Sequence, residues 1–130
     1  MEGRGRAFAL PPGGGRDINL ETFVATVKAS GEDTAGSFSL LETGERKAGP
    51  GPPLHVHHDA AEAFYVLEGE YAMLVEEREI ACPAGSFVFI PAGIRHTFSV
   101  SATPSRKLNF YFPGRGAGAR RLRLSHKAAS

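Results

Sequence analysis

The sequence contains no tryptophan and a single cysteine, Cys82, so no intrachain disulfide can staple the fold. Beside Pro83, that cysteine reads as a small buried hydrophobe and not as a catalytic thiol. Long apolar runs are absent as well: no stretch approaches the ~20 residues that a membrane-spanning helix needs. The opening MEGRGRAFALPPGGG carries basic residues but breaks its short apolar run with prolines and glycines, unlike the apolar region of a secretory signal. A cytoplasmic protein with no membrane span is expected. Helical periodicity is missing too, since no window holds an apolar spacing of about 3.6 residues over two turns.

A strong charge of either sign is also lacking. The net charge is +1, yet residues 114–130 hold Arg115, Arg120, Arg121, Arg123 and Lys127 and no acid. Residues 1–113 therefore carry ten basic against fourteen acidic side chains, a net of −4. A duplex-binding surface is basic, so this body is not expected to bind nucleic acid.

What is present points to short strands. A chain of 130 residues makes one domain with one core. Sixteen glycines and nine prolines suit many turns better than long helices. Residues 1–17 read as a flexible leader, 18–113 as the folded domain and 114–130 as a basic tail. Within the domain, residues 18–29 alternate as one long strand or two short ones, with Phe23, Ala25 and Val27 on one face. Further strands are expected over 35–43, Leu54–His57, 62–68 (ended by Gly69), 70–76, 78–81, 86–90, 95–100 and 106–112. Nine or ten strands without helices predict an all-β sandwich or barrel. In the tail, Leu122 and Leu124 sit two apart, which fits a strand face; a loose tail, an ordered last strand and a polyanion-binding arm all remain open.

Four of the five histidines fall between positions 55 and 96. His55 and His57, two apart, share one face of a strand. Glu62 opens the next strand, about 4.8 Å away if the two pair. His96 starts a later strand just after Pro91–Gly93. Three imidazoles and a carboxylate are a normal set of ligands for Fe, Mn, Ni, Co, Zn or Cu. One divalent ion per chain, on His55, His57, Glu62 and His96, is the expectation. His58 is out of phase with its neighbours, and His126 lies in the basic tail.

This spacing resembles the cupin superfamily. The first cupin motif runs Gly, five residues, His-x-His, four residues, Glu, six residues, Gly, matched here by Gly49, His55, His57, Glu62 and Gly69. The second is matched by Gly85, Pro91, Gly93 and His96, while its closing Asn position holds Val100. Fifteen residues separate the motifs, as in compact single-domain bacterial cupins. The resemblance implies a double-stranded β-helix, a jelly-roll β-barrel with the ligands inside. It further resembles the small quercetin-dioxygenase-like cupins, which implies a metal-dependent dioxygenase acting on a small apolar or phenolic molecule, with Glu62 as ligand and base. A non-oxidative isomerase, cyclase or decarboxylase, and a small-molecule-binding cupin without turnover, are the alternatives. Phe64 and Val66 share the face of Glu62, and Phe98 that of His96; Phe87 and Phe89 form one face of their strand. All five are expected to line an apolar pocket, with Tyr71 or Tyr111 at its rim and few inward cations. Cupins commonly pair, and an edge strand at Ile18–Ala29 would invite a second copy, so a homodimer is expected.

Overall fold

Alternation in the sequence translates into strands wherever prolines and glycines permit. The computed structural model describes residues 5–19 and 23–114. The basic tail from residue 115 onward, with its Leu122/Leu124 alternation and His126, lies outside the described residues. Strand β1 (Arg16–Asn19) pairs antiparallel with β2 (Phe23–Ala29), which buries Ala25, Val27 and Ala29. Of the two readings of this stretch, one long strand or two short ones, the structure takes the second, with the first strand beginning at Arg16. The expected edge on β2 is already covered by the chain's own β1.

The remaining strands are β3 (Ser39–Glu45), the two-residue β4 (Gly49–Pro50), β5 (Ala61–Val75), β6 (Arg78–Pro83), β7 (Phe87–Ile90) and β8 (His96–Phe112). Among the described residues no helix is long and apolar enough to cross a membrane. The expected strand at Leu54–His57 reduces to one bridge, His55 to His96. Pro50, Pro52 and Pro53 just before it have no N–H to give to a ladder.

Hydrogen-bonded order runs β1-β2-β3-β8-β5-β6, with β4 attached to β8 and β7 to β5. This corrects the barrel expectation. The path ends at β1 and β6, which do not pair, so the fold is an all-β double-stranded sheet that is not closed into a jelly-roll barrel. The two layers arise by bending. The long strands β5 and β8 each serve both layers, and β5 changes register between Val66 and Tyr71. Gly69, expected to end a strand, instead sits at this bend with φ +79° while the strand continues to Val75. A Cβ there would fall 2.0 Å from Ser105 Oγ and 2.5 Å from Pro104 O, so only glycine lets β8 approach.

Bending has a consequence for every side chain beyond it. Along β5 the large buried side chains are Glu62, Phe64 and Val66 before the bend, with the small Ala63 between them also covered, but Tyr71 and Met73 after it. Along β8 they are His96 and Val100 before, but Ser105, Lys107, Asn109 and Tyr111 after. Even-numbered positions face inward on one side of each bend and odd-numbered positions on the other. This is the effect expected of an extra residue in a strand whose side-chain period is two.

The main apolar cluster joins the layers: Phe64, Val66 and Ile90 from one, Tyr71, Met73, Cys82 and Val100 from the other. Full burial of each large side chain contributes about 1.5–3 kcal/mol. Cys82 is the small buried hydrophobe expected of it. A second cluster of Ala25, Val27, Leu41 and Tyr111 anchors the β1–β2 hairpin.

Candidate metal centre

His55 is positioned by backbone. Its N–H donates to His96 O at 3.0 Å, and the N–H of His96 returns the bond to His55 O at 2.9 Å. Gly93 N–H donates to His57 O at 2.8 Å, so the turn that launches β8 also holds the His57 segment. Gly93 has φ +89°, a conformation that favours glycine. Glu62 stands at the start of β5, with Ile90 of β7 on one side and Tyr111 of β8 on the other.

These elements bring His55, His57, Glu62 and His96 together, each offering a ligand atom within 4.8 Å of the others. Glu62 and His96 are buried and the two loop histidines half-buried. Glu62 Oε2 lies 2.9 Å from His57 Nε2 and 3.1 Å from His96 Nε2. Nδ1 of His55 faces Pro53 O, and Nδ1 of His96 faces Ile94 O, both at 2.9 Å. A carbonyl oxygen can only accept, so both Nδ1 atoms carry protons and Nε2 is the nitrogen left for a cation. The donor set of three imidazoles and one carboxylate fits a divalent ion.

Burial pushes the Glu62 carboxyl upward, but hydrogen bonds from His57 and His96 outweigh it and bring the pKa from 4.5 down to about 2. Burial lowers the pKa of His55, only partly offset by its bond to Pro53 O. A carboxylate held ionised beside an imidazole that resists protonation is ready for a cation at neutral pH. His58 is exposed, in keeping with its phase.

The surrounding wall differs from the expected pocket. Phe64 and Val66 are buried beneath Glu62, and Phe98 packs on the same cluster. Phe87 and Phe89 point outward, 64% and 55% exposed. The cause is register: Phe87 opposes Tyr65 and Phe89 opposes Ala63, both on the outer face, while Val88 and Ile90 oppose inward Phe64 and Glu62. Tyr71 is fully buried, with its hydroxyl donating to Glu45, and lies at no rim. Burial, and then the Glu45 charge, push its phenol well above the ordinary range.

An inward cation was missed from sequence. Lys107 is 2% exposed and donates to Thr43 Oγ1 at 3.0 Å. Its Nζ pairs with Glu45 at 3.7 Å and lies over the rings of Phe98, Tyr71 and Phe64. Burial lowers its pKa, and Glu45 and Glu62 partly restore it. Asn109 shares this wall and donates to Thr43 Oγ1 and Leu41 O. Ser39 Oγ, on the same inward face of β3, is buried without a hydrogen-bond partner. The signal lay in the RKLNFYF stretch, where Lys107, Asn109 and Tyr111 share one phase. Which phase faced inward could not be read there.

A bent, two-layered all-β sheet with three imidazoles and a carboxylate converging between its strands defines a small metal-binding β protein. The cupin domain pattern matches residues 43–111, more than half of the sequence, and the chain belongs to the cupin domain family. It is 29% identical over 107 residues to quercetin 2,3-dioxygenase of Bacillus subtilis (strain 168), covering 82% of this chain and 32% of that protein. The chain thus spans about a third of that relative's length. Among solved structures, an RmlC-like cupin from Shewanella frigidimarina NCIMB 400 superposes with a TM-score of 0.69 at 17% identity, over 89% of this chain and 98% of that one. KdgF from a Halomonas species gives 0.69 at 14% identity, over 78% and 89%.

Proposed function

We propose that this chain is a metal-dependent cupin enzyme, a dioxygenase acting on a small hydroxylated organic molecule. His55, His57, Glu62 and His96 hold one divalent ion, and Glu62 is also the base. The observation that carries the reading is the convergence of four donor atoms within 4.8 Å, with two imidazoles oriented by backbone carbonyls. The likeness to quercetin 2,3-dioxygenase supports the choice of reaction class. A divalent ion bound there supplies a Lewis acid for an ionised substrate oxygen. The two histidines hold Glu62 in its ionised form, and in this reading that carboxylate accepts the proton of a substrate hydroxyl. Its two histidine contacts, which lower its basicity, decide how readily it does so.

The interior supports a substrate more polar than the sequence suggested. Phe64, Val66 and Phe98 offer apolar contact, while Lys107 and Asn109 add polar groups and Ser39 Oγ is a buried group with no partner. A buried polar group without a partner costs about 1–3 kcal/mol, so a ligand or water oxygen satisfying Ser39 would be favourable. The same polar wall favours one second reading, a non-oxidative isomerase, cyclase or decarboxylase, whose metal need not change redox state.

Elemental analysis of protein purified without added metal, followed by oxygen uptake with flavonols and other enolisable phenols, tests the proposal. One equivalent of a redox-active metal and substrate-dependent uptake are expected. Turnover of the same molecules without oxygen would replace the dioxygenase by the second reading. Binding without product under either condition would reduce the protein to a ligand-binding cupin.

A further inference from the structure

The interior of the sheet holds a cation that its own partners do not satisfy. Lys107 is the only lysine or arginine buried among the described residues. An ammonium has three N–H donors. Among the described residues, Lys107 spends one of them in a hydrogen bond, on Thr43 Oγ1 at 3.0 Å. Glu45 Oε2 stands at 3.7 Å, too far for a good hydrogen bond. The other neighbours are the ring faces of Phe98, Tyr71 and Phe64, which attract a cation without offering it an oxygen. A side chain 2% exposed has little water to complete its shell, and a buried charge short of partners is costly.

Two of these rings tie the ammonium to the metal centre. Phe64 follows Glu62 by two residues on β5, and Phe98 follows His96 by two on β8. Two residues advance a strand by about 7 Å, so Nζ stands about one such step further into the sheet than Glu62 and His96. His55 and His57 are half-buried, so the centre opens on their side. A molecule entering there meets the four ligands first and the ammonium beyond them. Charge points the same way. Imidazoles bind a metal in their neutral form. A divalent ion and the Lys107 ammonium, set against the Glu62 and Glu45 carboxylates, then leave one positive charge in the interior. A low-dielectric interior favours an occupant that cancels it.

We propose that Lys107 determines the substrate class: it receives the carboxylate of a small hydroxylated organic acid whose hydroxyl oxygen lies at the metal, about 7 Å away. The inference rests on the metal-dependent reading above and adds the acid group to it. An uncharged phenol would leave the ammonium donors unspent. An amine would add to the excess positive charge.

Calorimetric titration of zinc-loaded protein, whose metal has no redox chemistry, tests the inference with para-hydroxybenzoate and its uncharged isostere para-hydroxybenzamide. Wild type should bind the acid at least about 10-fold more tightly than the amide. Lys107→Met should bind the two about equally, with its zinc content by elemental analysis unchanged. Glu45→Gln removes the competing carboxylate and should raise the preference by about 3-fold. Should Lys107→Met lose its β-type circular dichroism, that rise carries the test. Wild type that holds zinc yet binds acid and amide alike, or neither, overturns the inference and leaves the metal centre standing. So does a preference that survives Lys107→Met, which would put the carboxylate on the metal. Protein that takes up no zinc overturns the metal reading and this inference with it. A preference lost in Lys107→Met, with no oxygen uptake by iron-loaded protein, keeps the inference and removes the dioxygenase.

Discussion

Lys107 Nζ lies 4.2 Å from the centroid of the Phe98 ring, inside the protein, although Arg106 beside it reaches solvent. The pairing joins the two layers, because Lys107 belongs to the half of β8 beyond its bend and Phe98 to the half before it. It also brings a positive charge to the interior that holds Glu62.

Removing that charge should be costly. Lys107→Ala leaves Glu45 without its cation and bonded only to the Tyr71 hydroxyl, and a loss of about 3–5 kcal/mol is expected in urea unfolding. Lys107→Met keeps the bulk among Phe64, Tyr71 and Phe98 and should lose less. A loss under about 1 kcal/mol for the alanine variant would show that the pair contributes as little as a surface ion pair.

The metal site makes a compositional prediction. His55→Ala, His57→Ala and His96→Ala should each remove most of the bound divalent ion, measured by elemental analysis, while circular dichroism stays β-type. Glu62→Gln should retain more metal, because an amide oxygen can still ligate, but should lose activity that needs a proton acceptor. Undiminished metal in all three histidine variants would refute the ligand assignment.

Metal-free protein should weaken in acid with a particular sign. The Glu62 pKa is depressed from 4.5 to about 2 in the folded state, so its contribution is complete above about pH 4.5 and is lost as pH falls through about 2. The interval corresponds to on the order of 3 kcal/mol. Urea midpoints of stripped protein between pH 6 and 2 should fall more steeply for wild type than for Glu62→Gln. Parallel curves would mean that the carboxylate and its histidines do not interact as described.

Gly69→Ala should test the bend. The new methyl would meet Ser105 Oγ and Pro104 O in a backbone with φ +79°. A destabilisation of about 3 kcal/mol is expected from strain and overpacking together, read as a lower unfolding midpoint. Ala at Gly85, which has φ +94° but nothing within 4 Å, should cost less.

The ligands were legible in the sequence because their spacing is local. His55 and His57 sit two apart, Glu62 follows after one turn, and Gly93 marks the turn before His96. Strand existence was legible for the same reason: alternation over Phe23–Ala29 or Ser39–Glu45 needs only neighbouring residues. What the sequence by itself determined was therefore an all-β chain, its family motif and four candidate ligands. Tertiary structure alone decided which face of each strand is inside. Bends in β5 and β8 reverse inward parity, so Lys107 goes in and Phe110 out, and β7 follows its partner β5 in turning Phe87 and Phe89 to solvent. It also decided that the sheet ends at β1 and β6 without closing. The physical reason is that strand side chains repeat every two residues. One irregularity in a long strand exchanges its faces, and only cross-strand pairing records where that happened.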